Sequence, residues 1–442
     1  MITRRFRYVV IVVLMLFTLA AAPHATACAK LDSIAESYVK LVLRAGQYDE
    51  DMVDSYFGPE EWKPNAPADG NLEPPYEAFL NEARSLAEEL REIDTDELTS
   101  LHLKRYQYLE KHIVALIGRI DMLSGKALLF DVETITLYDV VLPPFDQAYY
   151  DSLLQKLDRL LPGEGSVADR FNAYQAQLEV PKDKVEQIFN VGVAAARERV
   201  SRYIDIPKAD SVSIEVVSDR WWTADCRYKG HGHSHMQLNI DRPFHLDQAI
   251  TFPCHEIYPG HHLSFLYIDN YLLQDSGWIE FSLISAFSPL AAMMEGSAEY
   301  GIDLTFPRAD WINFTKTTLC PIAGINTSLV EPYYDMLRLK YQLYPVESHI
   351  ARQYLDGEVD SEEAKTQLLH YAIYSEDEVE ARIGAYDSYR SYVVNYYIGK
   401  DLVCDHVEAV AKGSNDQEAL WAAFGELLKT PQVPANLMKK PK

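Results

Sequence analysis

Basic residues are scarce in this sequence. The 442-residue chain has 41 Lys and Arg residues against 66 Asp and Glu residues, which gives a formal net charge of −25 at pH 7. A surface this acidic repels the phosphates of nucleic acids and the headgroups of anionic lipids. The composition therefore excludes nucleic acid as an expected partner and suits an exported enzyme.

Long apolar runs are also lacking, apart from one at the N-terminus. Residues 8–22 are apolar but too few for a comfortable membrane span, and three arginines precede them. The small residues "ATA" then stand directly before Cys28, as at a signal-peptide cleavage site. We predict that residues 1–27 are a signal peptide and that the chain is periplasmic or extracellular. Cys28 would then come first and could carry a lipid, the one membrane attachment expected.

Cysteine is rare, with five residues in the whole chain. Besides Cys28, the cysteines are Cys226, Cys254, Cys320 and Cys404. An exported chain could pair them, but the sequence does not fix which cysteine joins which. Cys254 stands beside a histidine and could be a metal ligand, although such a cysteine is more often a buried apolar residue or half of a disulfide.

Internal repeats and low-complexity segments are absent, and most of the chain has helical periodicity. In "YLEKHIVALIGRIDML", for example, Leu109, Ile113, Leu116 and Ile120 fall on one helical face. The pattern alternates instead in "SVSIEVV" and "GHGHSHMQLNID", which predicts strands near residues 211–241. Helix resumes near residue 246 and dominates the remainder.

The stretch "CHEIYPGHHL", residues 254–263, begins like the HExxH signature, in which histidines four apart bind zinc from one helical face. Here His255 and His261 are six apart, which in a straight helix turns them roughly 120° from each other. Pro259 breaks helical hydrogen bonding, and Gly260 tolerates unusual backbone angles. We therefore predict a kink that returns His261 towards His255 so that both bind one ion.

A third ligand is expected from a neighbouring helix. The segment "SPLAAMMEGSAEYGIDL" offers Glu295 among Met, Ala and Gly, a setting in which a carboxylate is costly unless paired or bound to metal. Glu299, one turn later, is expected to form a salt bridge or to hydrogen-bond a ligand. His262 lies about 10 Å along the axis from His255, so we expect it behind the site or on the helix surface.

The two motifs, "HEIYPGHHL" followed by "EGSAEY", resemble the DUF885 family, whose members carry HExxPGH and then EGWALY. The similarity includes the later "YYIGK" helix and covers the second half of the chain better than the first. Members of the family are regarded as zinc peptidases whose active-site arrangement is related to that of the gluzincins. The resemblance implies His255, His261 and Glu295 as zinc ligands and Glu256 as general base. Ser297 replaces the family's usual Trp, so substrate preference is less transferable than metal binding.

Catalysis also requires a hydrogen-bond donor for the developing oxyanion. The segment "YDSYRSYVVNYYIG" concentrates tyrosines around Arg390, and Arg390 and Tyr397 are seven apart, so one helix face could present both. We take Arg390, Tyr396 and Tyr397 as candidate catalytic donors. The alternative for each tyrosine is a place in an aromatic packing helix.

The histidines of "GHGHSHMQLNID" have several interpretations. His231, His233 and His235 could form a second, adventitious metal site. They could instead line the polar face of a strand bordering the cleft, where an extended peptide adds by backbone pairing. A solvated loop is the default, because Gly230 and Gly232 weaken a strand.

These features predict a mostly α, multi-helix, zinc-peptidase-like architecture with a small β-hairpin beside the active-site cleft. Residues 28–200 are expected to be a helical scaffold and residues 201–442 a metal-binding catalytic region, and the two could form one domain. The predicted function is zinc-dependent hydrolysis of short peptides, with carboxypeptidase- or dipeptidase-like action preferred. Two alternatives are hydrolysis of a non-peptide amide or ester, and a non-catalytic metal-binding exported protein.

Overall fold

The computed structural model describes residues 3–65, 73–220, 223–414 and 416–438, and it describes no side chain among residues 3–23. The predicted signal peptide therefore lies largely outside the described side chains, and its removal stays a prediction. None of the helices in the described part of the chain is both long enough and apolar enough to cross a bilayer.

The chain is mostly helical, as the sequence predicts. The helices of the first half are α1 (Thr3–Ala45), α2 (Tyr76–Arg91), α3 (Ser100–Leu123), α4 (Phe130–Tyr138), α5 (Gln147–Leu160), α6 (Val167–Gln175) and α7 (Val185–Val200). Those that follow are α8 (Gln248–Phe252), α9 (His261–Tyr267), α10 (Pro289–Thr305), α11 (Arg308–Phe314), α12 (Cys320–Ala323), α13 (Val330–Leu343), α14 (Val346–Leu355), α15 (Ser361–Gln367), α16 (Glu376–Tyr389), α17 (Val394–Val410), α18 (Gln417–Leu428) and α19 (Pro434–Leu437). The strands are β1 (Ser55–Tyr56), β2 (Ser211–Val217), β3 (Ala224–Tyr228), β4 (His233–Asn239) and β5 (Leu283–Ile284).

Local sequence signals explain where several helices begin. The Thr99 side chain accepts a hydrogen bond from the backbone N–H of His102 at the start of α3, and the apolar face predicted for this helix is buried. At the start of α16, Ser375 and Glu378 form a reciprocal capping box. Such caps satisfy backbone N–H groups that the first turn of a helix leaves without partners.

The predicted hairpin is part of a three-stranded sheet. β3 and β4 pair antiparallel, as a hairpin does, and β2 adds to the other side of β4 in parallel. Its order is β2-β4-β3, so β4 is the central strand and has a partner on both edges. β1 and β5 form a separate antiparallel pair.

Two apolar clusters form the core. One joins α1, α2 and α3 with Leu283 of β5. The other holds buried residues from α4 to α7 together with those of the sheet and the later helices. The boundary proposed at residue 200 stays a prediction, and the second cluster includes residues from both sides of it.

The crossing of α10 and α17 brings two backbones close together. A Cβ placed on Gly296 of α10 would lie 2.3 Å from the carbonyl carbon of Gly399 of α17. Only glycine fits so close an approach, and the missing side chains let the two helices meet. As a result, Glu295 on α10 lies within hydrogen-bond distance of Tyr392, just before α17.

Candidate metal centre

The segment between α8 and α9 is broken as the sequence predicts. Residues Pro253–Ile257 form one π-helical turn, and α9 begins at His261. The backbone N–H of Gly260 donates to the carbonyl oxygen of Cys254 at 2.9 Å. A Cβ on Gly260 would lie 1.6 Å from the carbonyl oxygen of His255, so the chain can fold back this tightly only at a glycine.

This fold-back places the two predicted histidine ligands side by side. The ring centroids of His255 and His261 are 4.7 Å apart, and the rings are nearly perpendicular at 89°. Glu295 enters from α10 as the residue expected to complete the group. Ligand atoms of His255, His261 and Glu295 all lie within 4.8 Å of one another. The structure thus brings together the three residues that the two motifs predict.

The distances suit a small divalent cation. The Oε2 atom of Glu295 is 3.2 Å from His255 Nε2 and 3.6 Å from His261 Nε2. Ligands that bind tetrahedral zinc at about 2.0–2.1 Å lie roughly 3.3 Å from each other. The Oε2 atom of Glu295 is buried and lies within ion-pair distance of His255. No donor among the described residues is aligned to form a hydrogen bond to it. A buried carboxylate oxygen without such a donor is costly, and a cation would satisfy it.

The electrostatics of the group are those of a closely packed charge cluster. Burial lowers the pKa of His255, but Glu295 and Glu299 outweigh this and raise it well above the ordinary value. Burial lowers the pKa of His261 to about 4. Burial opposes ionisation of Glu295, yet His261 and His255 hold its pKa below the ordinary value. The site therefore favours an ionised Glu295 and a neutral His261, the forms in which these residues bind metal, whereas His255 must release a proton when an ion binds.

Glu256 directly follows His255 in the chain and is half-buried as a whole residue. Burial, which outweighs the opposing effect of His255, raises its pKa to about 7. Within the described part of the chain, no side chain or backbone group donates a hydrogen bond to it. Glu256 therefore has an uncommitted carboxylate that is near enough to His255 and Glu295 to interact with their charges, as a general base at this site requires.

Two further residues contact the proposed ligands through atoms other than those that face the candidate metal position. Glu299 Oε1 lies 3.1 Å from His255 Nδ1, which confirms the salt bridge or hydrogen bond expected for Glu299. A carboxylate at this nitrogen orients the ring and leaves the other nitrogen for a metal. Tyr392 donates its O–H to Glu295 Oε1 at 2.8 Å. Sequence reasoning did not select Tyr392, although it lies four residues before Tyr396 in the same tyrosine-rich segment.

His262 lies behind the site. It is fully buried, and its ring contacts Ser234 Oγ at 2.7 Å and Asp210 Oδ1 at 2.9 Å. Asp210 also pairs with Arg197 and accepts a hydrogen bond from Tyr258. These contacts join α9 to the sheet and to α7. The sequence gives no indication of the role of Asp210, because the residues that it contacts are distant from it in the chain.

The histidine row is ordered as part of the sheet. His233 and His235 lie in β4 and contact Ser211, Ser213 and Glu215 of β2. The default of a solvated loop is wrong for these two residues, because β4 pairs along its length on both sides. For the same reason an extended peptide cannot pair with the backbone of β4. The described residues that could jointly hold a metal do not include this row.

The three C-terminal candidates are placed differently. Tyr396 stacks near His255, with ring centroids 6.3 Å apart, and Tyr397 contacts Tyr344 at 5.1 Å. Arg390 instead pairs with Glu133 at 2.7 Å. The expectation that Arg390 and Tyr397 share one helix face is wrong, because Arg390 ends α16 with a φ of 51° and Tyr397 lies in α17. Tyr396 is the candidate donor that contacts the ligand group.

The cysteines are separate thiols in this structure. Cys254 is fully buried, which fits the interpretation as an apolar core residue. A second group, His24, Cys28 and His102, also has ligand atoms within 4.8 Å of one another. His24 precedes the predicted cleavage site, so export as predicted would remove it from the mature chain.

Comparison with known proteins gives a fold likeness alone. No protein-family model matches the sequence, and the search of curated proteins found no match. Similar solved structures include a candidate lipoprotein from Colwellia psychrerythraea, with 15% identity and a TM-score of 0.52 over 81% of this chain. The match spans 65% of that protein's chain, which is less than two thirds of its length. Another is a candidate lipoprotein of unknown function from Shewanella oneidensis, with 13% identity and a TM-score of 0.48 over 82% of this chain and 71% of that one.

Proposed function

We propose that this protein is a zinc-dependent hydrolase of peptide bonds in short peptides. The observation that carries the proposal is the convergence of His255, His261 and Glu295 beside the uncommitted carboxylate of Glu256. Two imidazoles and one carboxylate are a donor set found in catalytic zinc sites, where a further position stays open for water or substrate. The motif resemblance to the DUF885 family supports the same assignment.

The side chains suggest how the reaction proceeds. His255, His261 and Glu295 would hold the ion, which when bound lowers the pKa of a coordinated water and polarises the scissile carbonyl. Glu256 accepts the proton of the attacking water and delivers it to the leaving amine. Tyr396, whose ring lies against His255, donates its O–H to the developing oxyanion. Glu299 and Tyr392 fix the orientations of His255 and Glu295.

We also propose that the protein is exported. The basic and apolar start of the chain, followed by small residues before Cys28, supports this location. The fold likeness to the candidate lipoprotein of Colwellia psychrerythraea is compatible with it. Globomycin treatment of expressing cells, with mass spectrometry of the mature N-terminus, distinguishes a lipid on Cys28 from simple cleavage.

Replacement of Glu256 by Gln tests the mechanism. The variant should keep one zinc per chain, because the ligands are intact, and should lose turnover of a short-peptide library by about 100-fold or more. Metal analysis and peptide hydrolysis measure the two properties. Glu331→Gln is the matched control, because Glu331 forms an exposed ion pair with Lys316. Wild-type turnover by zinc-loaded Glu256→Gln would contradict the proposed role of Glu256.

Replacement of His261 by Ala tests the ligand assignment. We expect His261→Ala to lose zinc on dialysis against a weak chelator that leaves the wild-type protein loaded. Full retention of zinc would rule out the proposed ligand set. Parallel assays with acyl-amide and ester substrates decide between peptide hydrolysis and the non-peptide alternative.

A further inference from the structure

Arg382 on α16 carries a guanidinium that the fold leaves largely uncommitted. Its side chain is 41% exposed, and its described acidic contact is Glu347, with Nε 3.4 Å from Oε1 and no aligned hydrogen bond. Glu347 is buried and already accepts hydrogen bonds from the hydroxyls of Tyr374 and Tyr386 at 2.8 and 3.0 Å. Arg382 therefore keeps most of its five N–H donors for another partner.

Aromatic rings connect this guanidinium to the candidate metal centre. The Cζ atom of Arg382 lies 5.3 Å from the ring centroid of Tyr374, which is 6.0 Å from that of Tyr344. Tyr344 contacts Tyr397 at 5.1 Å, and Tyr397 is 6.5 Å from Tyr396, the ring that stacks near His255. These contacts form a continuous row of rings from Arg382 to His255, in which Tyr374 is buried and Tyr344, Tyr397 and Tyr396 are half-buried.

Another arginine near the centre is less able to bind a ligand. Arg227 on β3 donates its Nε to Asp225 at 3.0 Å. The nearby carboxylate of Asp54 also favours the charged form of Arg227. This side of the site is acidic overall, because Asp54, Asp225 and Glu256 outnumber Arg227. Arg382, to which no described acceptor is aligned for a hydrogen bond, is therefore the less committed of the two arginines.

We propose that Arg382 binds the C-terminal carboxylate of the substrate, so that the enzyme removes residues from, or splits peptides at, a free C-terminal end. Arginine suits this role because its planar fork can form two parallel hydrogen bonds to one carboxylate. The inference rests on the proposed peptidase function and adds the substrate class. Arg382 is a specificity-determining residue and takes no part in proton transfer.

Three matched substrates test the inference on the zinc-loaded enzyme. They are an N-acylated dipeptide with a free C-terminus, the same dipeptide amidated, and an amidated dipeptide whose second residue is Glu. We expect kcat/KM to be at least about tenfold higher for the free acid than for either amide, mainly through KM. Equal values for the acid and its amide would overturn the inference, and a preference for the Glu-containing amide would show side-chain recognition instead.

Variants of Arg382 separate recognition from structure. Arg382→Gln should lower kcat/KM for the free acid by about tenfold to hundredfold and leave the amide within a few-fold, which removes the discrimination. Arg382→Lys should retain part of the discrimination, because Lys keeps the positive charge but lacks the planar guanidinium that forms two parallel hydrogen bonds. Arg308→Gln is the control, because Arg308 pairs with Asp335 on the surface. Equal losses on acid and amide, at unchanged melting temperature, would contradict the inference.

An equilibrium measurement distinguishes failure of this inference from failure of the proposed function. N-acetylleucine and N-acetylleucinamide are titrated into zinc-loaded wild-type protein and Arg382→Gln by calorimetry. Tighter binding of the acid that is lost in Arg382→Gln supports the carboxylate site even if no peptide is hydrolysed. Binding of the acid that is equal in both proteins overturns the inference, because the carboxylate would then be held by the ion or elsewhere.

Discussion

At the scale of single residues, the carboxylates near the candidate metal centre differ in what already holds them. Glu295 has one oxygen bound by Tyr392 and the other directed at both imidazoles. Glu299 contacts the far nitrogen of His255, and Glu256 has no described hydrogen-bond donor. Environment alone therefore divides three similar side chains into a proposed metal ligand, a group that orients His255, and a proposed general base.

Asp210 provides a pH-dependent contribution to stability behind the site. Burial raises its pKa, but hydrogen bonds from His262, Tyr258 and Arg197 outweigh burial and lower the pKa to about 2. A carboxyl whose pKa is lower in the folded state stabilises the fold above its unfolded pKa of about 3.9, and this contribution is lost as the pH falls towards 2. The contribution at neutral pH is roughly 2 kcal/mol.

We predict that Asp210→Asn lowers the free energy of unfolding by roughly 2 kcal/mol at pH 7, and that the difference from wild type shrinks below pH 4. Urea unfolding at pH 7 and melting temperatures between pH 3 and 6 measure this. Asp335→Asn, which removes an exposed ion pair with Arg308, should change stability by less than about 1 kcal/mol. A difference between wild type and Asp210→Asn that stays constant down to pH 3 would argue against the ionised carboxylate.

At the scale of elements, the glycine contact between α10 and α17 sets the distance between Glu295, the proposed ligand, and Tyr392, which donates a hydrogen bond to it. Adding a methyl group at Gly296 would force it to within 2.3 Å of the backbone of Gly399. Backbone atoms cannot yield as a flexible side chain can, so the helices must separate. That separation would draw Tyr392 away from Glu295.

We predict that Gly296→Ala lowers stability by about 1–3 kcal/mol and weakens zinc binding. Gly384→Ala is the matched control, because a Cβ at Gly384 of α16 meets no atom within 4 Å. That change should raise stability by about 0.5–1 kcal/mol through helix propensity. Chemical denaturation and a zinc-competition assay measure both properties. Unchanged zinc affinity in a destabilised Gly296→Ala would show that the crossing supports the fold but not the site.

Much of this arrangement could be predicted from local sequence, and the remainder could not for a physical reason. The kink at Pro259 and Gly260 follows from the conformations these two residues allow, and helical periodicity reveals the buried face of α3. By contrast, the parallel pairing of β2 with β4 depends on a contact across the chain that alternation does not encode. Arg390 does not share a helix face with Tyr397, because a short 3-10 helix, Arg390–Val393, separates α16 from α17.

At the scale of the whole molecule, a buried ion pair ties the first apolar cluster to the rest of the chain. Arg105 of α3 is 1% exposed and donates to both oxygens of Glu280 at 2.6 and 3.0 Å, and also to Asp32 of α1. Removing one member of a buried pair leaves the other charge without a partner, which is far more costly than losing a surface pair.

We predict that Arg105→Leu lowers the free energy of unfolding by about 3–5 kcal/mol. Arg44→Leu is the control, because Arg44 pairs with Glu82 between α1 and α2 with both side chains about two-fifths exposed, and it should cost less than about 1 kcal/mol. Equilibrium denaturation of the two variants, compared with wild type, measures the difference. Equal effects of the two changes would indicate that the interior pair is hydrated or dispensable.

The proposed metal ligands and the residues proposed to contact the substrate come from separate parts of the chain. His255, His261, Glu295 and Glu299 lie in one contiguous stretch, whereas Tyr396 and Arg382 belong to a later pair of helices. Substitutions at Arg382 can therefore change which molecules are accepted without altering the proposed metal ligands. For an engineer, exchanging α16 alone, with Tyr392 and Gly399 kept, would be a route to new selectivity that leaves the proposed ligands in place.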